Sequence, residues 1–144
     1  MLPLLLICDP AYRYSRGFHE MLGEREITSR HTLTGHECAN AIRHFNPDFV
    51  LIACETDDGY LGSLLHDIST MSDRAPEVFL VGEAPAEEQS GTWGRPPEMC
   101  LQRPLDEAAF VQRLDSLSER QTVVRAERED GVGNDARPSQ ATEA

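Results

Sequence analysis

Pro47-Asp-Phe-Val-Leu-Ile-Ala53 is the stretch that decides the fold. Phe49–Ala53 is apolar at every position and too short for a helix. It follows Asn46-Pro47, which stops whatever helix precedes it. A strand apolar on both faces is expected where helices cover both sides of a parallel sheet. Its last side chain is a methyl group, which cannot accept a phosphoryl group, ligate a metal or move a proton.

Working outward, the same alternation repeats. Upstream, Thr34-Gly-His-Glu37 reads as a capping box, with Cys38, Ala41, Ile42 and Phe45 as the apolar face of the helix behind it. Leu4–Cys8 reads as a first strand, residues 12–22 as a helix through Tyr14, Phe18 and Met21 or Leu22 that Gly17 weakens, and Glu26–Ser29 as a short second strand. Downstream, Gly62–Ile68 is helical and Val78–Val81 is another continuous strand. Glu83–Gln89 makes two turns at most before Gly91, Gly94 and Pro96-Pro97. Met99–Leu101 is a short strand, and Asp106 caps a final helix whose Phe110, Val111, Leu114 and Leu117 face inward. The result is five βα units, a three-layer α/β domain with a parallel sheet and helices on both faces. That domain is expected over residues 1–118, with a helix extension and a disordered tail over 119–144. Ligands of such sheets sit at the carboxyl ends of the strands, here Cys8 and Asp9, Ala53 onward, Val81 and Gly82, and Gln102 and Arg103.

Composition narrows the function classes. A chain of 144 residues with 40 % apolar content suits one core. A net charge of -12 argues against direct binding of nucleic acid. Every basic residue is an arginine, so Schiff-base chemistry and lysine-dependent phosphate sites are excluded. The opening Leu2–Cys8 lacks a basic leader and stops at Asp9-Pro10, so it reads as a core strand, with no membrane insertion expected. Four scattered cysteines fit neither a disulfide scaffold nor a zinc knuckle and point to a reducing cytoplasm. His31, His36 and Cys38 lack the second ligand pair that a zinc site needs.

On these residues the chain resembles the receiver domains of two-component response regulators over about residues 2–118. The resemblance is carried by Leu5–Asp9, Pro47–Ala53, Asp58-Gly59, Pro76–Gly82 and Leu101-Gln-Arg-Pro-Leu-Asp106. It implies a flavodoxin-like five-stranded sheet in the order 2-1-3-4-5, with helix four shortened or missing. It also implies a degenerate phosphorylation site. Of the two acidic residues ending strand one, the first is Cys8 and only Asp9 remains. The phosphoacceptor position falls on Ala53, the Ser/Thr position on Val81, the lysine position on Arg103 and the switch aromatic on Cys100. Mg²⁺ prefers octahedral oxygen coordination, for which Asp9 alone is a poor anchor.

The expectation is therefore a phosphorylation-independent interaction or regulatory module, not an enzyme and without a cofactor. Its partner would be a histidine kinase, another signalling protein or a second copy. With no output domain after residue 118, any effect passes through that partner. Trp93, set in a glycine- and proline-rich loop, is either a lid or an interface anchor, and Arg95, Phe110 and Arg113 complete the candidate interface. Glu83, Glu87 and Glu88 read as a solvated acidic face. Two alternatives stay open: a displaced carboxylate, Asp57 or Glu55, accepting the phosphoryl group, or a redox or soft-metal site formed by Cys8 and Cys54.

Overall fold

The computed structural model describes residues 2–11, 14–55, 60–71 and 75–132. In chain order the elements are β1 (Leu4–Cys8), α1 (Arg16–Glu24), β2 (Thr28–Thr32), α2 (Gly35–Phe45), β3 (Phe49–Ala53), α3 (Tyr60–Ser69), β4 (Glu77–Gly82), α4 (Ala86–Trp93), β5 (Cys100–Gln102) and α5 (Glu107–Val132). All neighbouring strands pair in parallel, in the order β2-β1-β3-β4-β5. The chain separates into two compact units, Met1–Val111 and Gln112–Ala144. The first holds the whole sheet, α1 to α4 and the opening turn of α5. The second carries α5 onward, with Arg113 on that helix.

Each face of the sheet has its own apolar layer. On one, Leu6, Val50, Ile52 and Leu80 pack with Ile42 of α2 and Leu61 and Leu64 of α3. On the other, the Phe110 ring lies edge-on to Phe79 at 5.1 Å and stacks with Phe18 at 6.2 Å. Phe110 is only 4 % exposed, which corrects its place among the interface candidates: its ring is core.

The local signals explain most boundaries. The Thr34 side chain accepts from the Glu37 N–H at 3.1 Å, while Glu37 Oε1 accepts from Thr34 N at 3.3 Å and Leu33 N at 2.8 Å. Asn46 ends α2 in the left-handed region at φ 49°. Several boundaries differ from the sequence reading: α1 begins at Arg16, β5 runs Cys100–Gln102 with Met99 before it, and β2 and α4 shift further. β2 starts at Thr28, not Glu26, because the turn after α1 takes up Arg25 and Glu26, the latter at φ 59°. The helix expected over Glu83–Gln89 begins later and runs through Gly91 to Trp93, where Gly94 at φ 67° ends it. Trp93 therefore closes a helix and does not stand on a loop.

Candidate functional site

The carboxyl ends of β1, β3, β4 and β5 converge on one guanidinium. Arg103 follows β5, and its backbone N–H donates to the Gly82 carbonyl at 2.8 Å. Its Nη1 donates to Glu55 Oε2 at 2.7 Å and to Glu83 Oε2 at 3.3 Å. Its Nη2 lies 3.5 Å from Asp9 Oδ2. The Arg103 side chain is 12 % exposed and that of Asp9 fully buried, whereas Glu55 and Glu83 are 37 % and 73 % exposed. The hydrogen bond donated to Glu55, aided by the charges of Glu55 and Asp9, holds Arg103 protonated even above its ordinary range, against the opposing effect of burial.

Asp9 is fixed from three directions. Its Oδ1 accepts from Ala11 N–H at 2.9 Å, and its backbone carbonyl lies 2.8 Å from His31 Nε2. Its Oδ2 has the Arg103 charge as neighbour but no hydrogen bond of good geometry. One cation thus faces three carboxylates contributed by three different loops. The side chains at the ends of β3 and β4 add no chemistry, since Ala53 is wholly buried and Val81 is 1 % exposed. Beside Arg103 a cleft of about 320 Å³ opens, bounded by Tyr14, Glu83, Leu105 and Glu107. Among the described residues, no group of three or more His, Cys, Asp and Glu side chains is arranged to hold a metal ion.

The cysteines separate into different surroundings. Cys8 is buried, and its thiol meets the Thr34 carbonyl at 3.5 Å and the Cys38 side chain. That hydrogen bond from Cys8, with burial, drives the Cys38 thiol far above its usual range. Cys54, named above as the partner of Cys8, instead has its Sγ 3.7 Å from Gln89 Oε1 and hydrogen-bonds the Trp93 side chain. Burial first, then the Glu55 charge, pushes Cys54 up to about 11. Burial thus favours the protonated form of the Cys38 and Cys54 thiols. Cys100 lies buried on β5, opposite Leu80.

Gln89 was not singled out from the sequence, yet with Asp9 it is one of two buried polar side chains among the described residues. Its Nε2 donates to the Ala84 carbonyl at 2.7 Å and the Leu101 carbonyl at 2.8 Å. The amide therefore pins the two-turn α4 to β5 and to the end of β3. The signal was present: Ala86, Gln89, Ser90 and Trp93 follow the i, i+3, i+4, i+7 spacing of an inner helix face. Trp93 is half-buried and packs against the core, and Arg95 turns inward to donate to the Val78 carbonyl at 3.3 Å. Asp57 and Asp58 lie outside the described residues.

Compared by sequence, the chain matches no family model and no curated protein. Compared by structure, it is similar to receiver domains of response regulators. The Francisella response regulator 1452 receiver domain superposes with a TM-score of 0.68 at 18 % identity, covering 83 % of this chain and 98 % of that one. The CheY-like receiver domain protein of Methanospirillum hungatei JF-1 gives 0.66 at 15 %, over 85 % and 98 %. The signal receiver domain of the Luxo repressor protein of Vibrio parahaemolyticus gives 0.64 at 17 %, over 92 % and 98 %. The likeness is one of fold, a flavodoxin-like receiver architecture.

Proposed function

We propose, taking the receiver fold as premise, that this chain is a phosphorylation-independent protein-interaction module of signal transduction. The observation that carries the reading is the Arg103 cluster above a buried Ala53. Acyl-phosphate formation needs a carboxylate held in line with the phosphoryl donor and cations to neutralise the developing charge. At Ala53 the side chain is a methyl group. The carboxylates nearby, Asp9, Glu55 and Glu83, share a guanidinium that belongs to the chain itself. Its regulatory state would then depend on which protein it contacts, a histidine kinase, another signalling protein or a second copy. Among the described residues no helix is long and apolar enough to cross a membrane. The four free cysteines fit a reducing compartment, which we take to be the cytoplasm.

A second reading has one observation in its favour. Glu55, two residues beyond Ala53, is a carboxylate at the same strand end and accepts from Arg103 at 2.7 Å. Its charge is engaged by Arg103, which lowers its use as a nucleophile. One experiment separates the two readings. The protein is incubated with Mg²⁺ and acetyl phosphate and its intact mass followed, with fluoroberyllate binding as a second readout. No stoichiometric adduct and no fluoroberyllate complex are expected. An adduct mapped to Glu55 or Asp57 would overturn the reading.

A further inference from the structure

At the opposite side of the sheet from β5, the edge formed by β2 and the end of α2 differs chemically from the rest of the chain. Overall the protein is acidic at -12, yet residues 25–46 carry Arg25, Arg30 and Arg43 against Glu26 and Glu37, together with His31, His36 and His44. Glu37 is committed to the backbone of Leu33 and Thr34 by the capping box. With three arginines against two glutamates the segment is at net +1, in a chain that is -12 overall. Arg30 on β2 lies over the Phe45 ring with its guanidinium carbon 4.0 Å from the centroid, and His44 meets the same ring edge-on at 4.8 Å.

The same edge gathers exposed apolar side chains. Among the described residues, the exposed large hydrophobic ones are Leu2 at 53 %, Leu33 at 50 % and Phe45 at 39 %. Leu2 precedes β1 where that strand pairs with β2, Leu33 follows β2 and Phe45 ends α2. Between β2 and α2 runs a concavity of about 720 Å³, whose lining includes His31, Thr32, Arg43, His44 and Phe45, with Glu37 as its carboxylate. Among the described residues, β2 pairs with β1 alone. Because a parallel strand turns alternate backbone groups to each side, its other backbone groups face the edge.

We propose that this edge docks an acidic, extended segment of a partner protein, which adds to β2 as a sixth strand. Main-chain pairing supplies the geometry, while its carboxylates meet Arg30 and Arg43 and its apolar residues cover Leu33 and Phe45. A short acidic strand senses the local basic patch within roughly one Debye length, about 10 Å at 0.1 M salt. A polyphosphate backbone, by contrast, feels the net charge of the whole chain, which favours a protein occupant over nucleic acid. The inference supplies the partner chemistry for the interaction module proposed above and rests on that reading. Its failure is distinguishable from failure of the phosphorylation argument, because the probe touches no residue of the Arg103 cluster.

The test is a titration of the full chain, isotope-labelled for amide NMR, with a capped heptapeptide of alternating glutamate and valine. Its lysine–valine counterpart and a short DNA duplex serve as comparison probes. The acidic peptide is expected to shift the amides of Thr28–Thr32 and of Arg43–Phe45, with weaker binding as salt rises. The double variant Arg30→Glu/Arg43→Glu, on two exposed side chains, should bind about tenfold more weakly or worse, as expected for two partly exposed charge pairs. Unshifted β2 amides, equal binding of the lysine peptide, preferential binding of DNA, or the same shifts on simple concentration without peptide would each overturn the proposal. The last result would give the edge to a second copy of the chain.

Discussion

Replacing Arg103 by Met removes one charge and keeps most of the volume. Its effect can be worked out from the burial of its partners. Glu55 and Glu83 are 37 % and 73 % exposed, so each loses an interaction worth about 0–1 kcal/mol in water. Asp9 is fully buried and, among the described residues, would keep the Ala11 N–H but lose the cation that faces it. An uncompensated buried carboxylate can escape by taking up a proton. For an ordinary aspartate at pH 7 that means about three pH units at about 1.4 kcal/mol each, an upper limit of roughly 4 kcal/mol. At pH 5 the same limit is about 1.5 kcal/mol. A carboxyl kept neutral in the fold but ionised in the unfolded chain favours the fold most at low pH. The deficit should therefore grow as pH rises from 5 to 7 and close as it falls. Urea unfolding measures it: with a slope of about 2 kcal/mol/M, a loss of about 3 kcal/mol moves the midpoint by about 1.5 M at pH 7. Adding Asp9→Asn to the variant should recover much of that loss. An unchanged midpoint, or an equal loss at both pH values, would refute the argument.

Four further outcomes follow from the same region. Gln89→Leu strands the Ala84 and Leu101 carbonyls and should cost about 2–4 kcal/mol, read as a lower unfolding midpoint with faster amide exchange in α4. Gly82→Ala places a Cβ 3.2 Å from both Cβ and Sγ of Cys54 and should destabilise by about 1–3 kcal/mol in a thermal melt, partly relieved by Cys54→Ala. The Cys54 thiol, raised from 9.0 to about 11, favours the fold fully below pH 9 and loses that contribution as pH climbs through 11. Alkylation of folded protein should accordingly be slow at pH 8 and accelerate toward pH 11, and rapid labelling at pH 8 would contradict the assignment. Trp93→Ala should cost about 1–3 kcal/mol because the ring is half-buried against the core; an unchanged melting point with weakened self- or partner association would return Trp93 to an interface role.

The sheet was legible because its strands are unmixed: Phe49–Ala53 and Val78–Val81 admit no exposed face, so a parallel sheet between helices is the arrangement that buries them. The capping box at Thr34 and the stop at Asn46 set α2 to the residue because both act through local backbone groups. β2 was read two residues early because Thr28–Thr32 is an edge strand without apolar alternation, and its bounds come from pairing with β1. At the candidate site, the positions of Asp9, Ala53, Val81 and Arg103 were readable from strand ends. The ties of Glu55 and Glu83 to Arg103 were not. They depend on long side chains converging from separate loops, which no spacing along the chain encodes. Gln89 escaped for a related reason: a glutamine is ordinarily a surface residue, and only the docking of α4 makes its amide a core connector.

The Arg103 cluster has a further meaning for the order in which the chain is made. Asp9, Glu55 and Glu83 all leave the ribosome before Arg103. Until β5 is synthesised and docked, the carboxyl edge of the nascent sheet holds these three carboxylates without the guanidinium that faces them. Their mutual repulsion opposes closure of the loops that carry them. Arg103 then sets one attraction against each of the three, so the last strand of the sheet ties its carboxyl edge together.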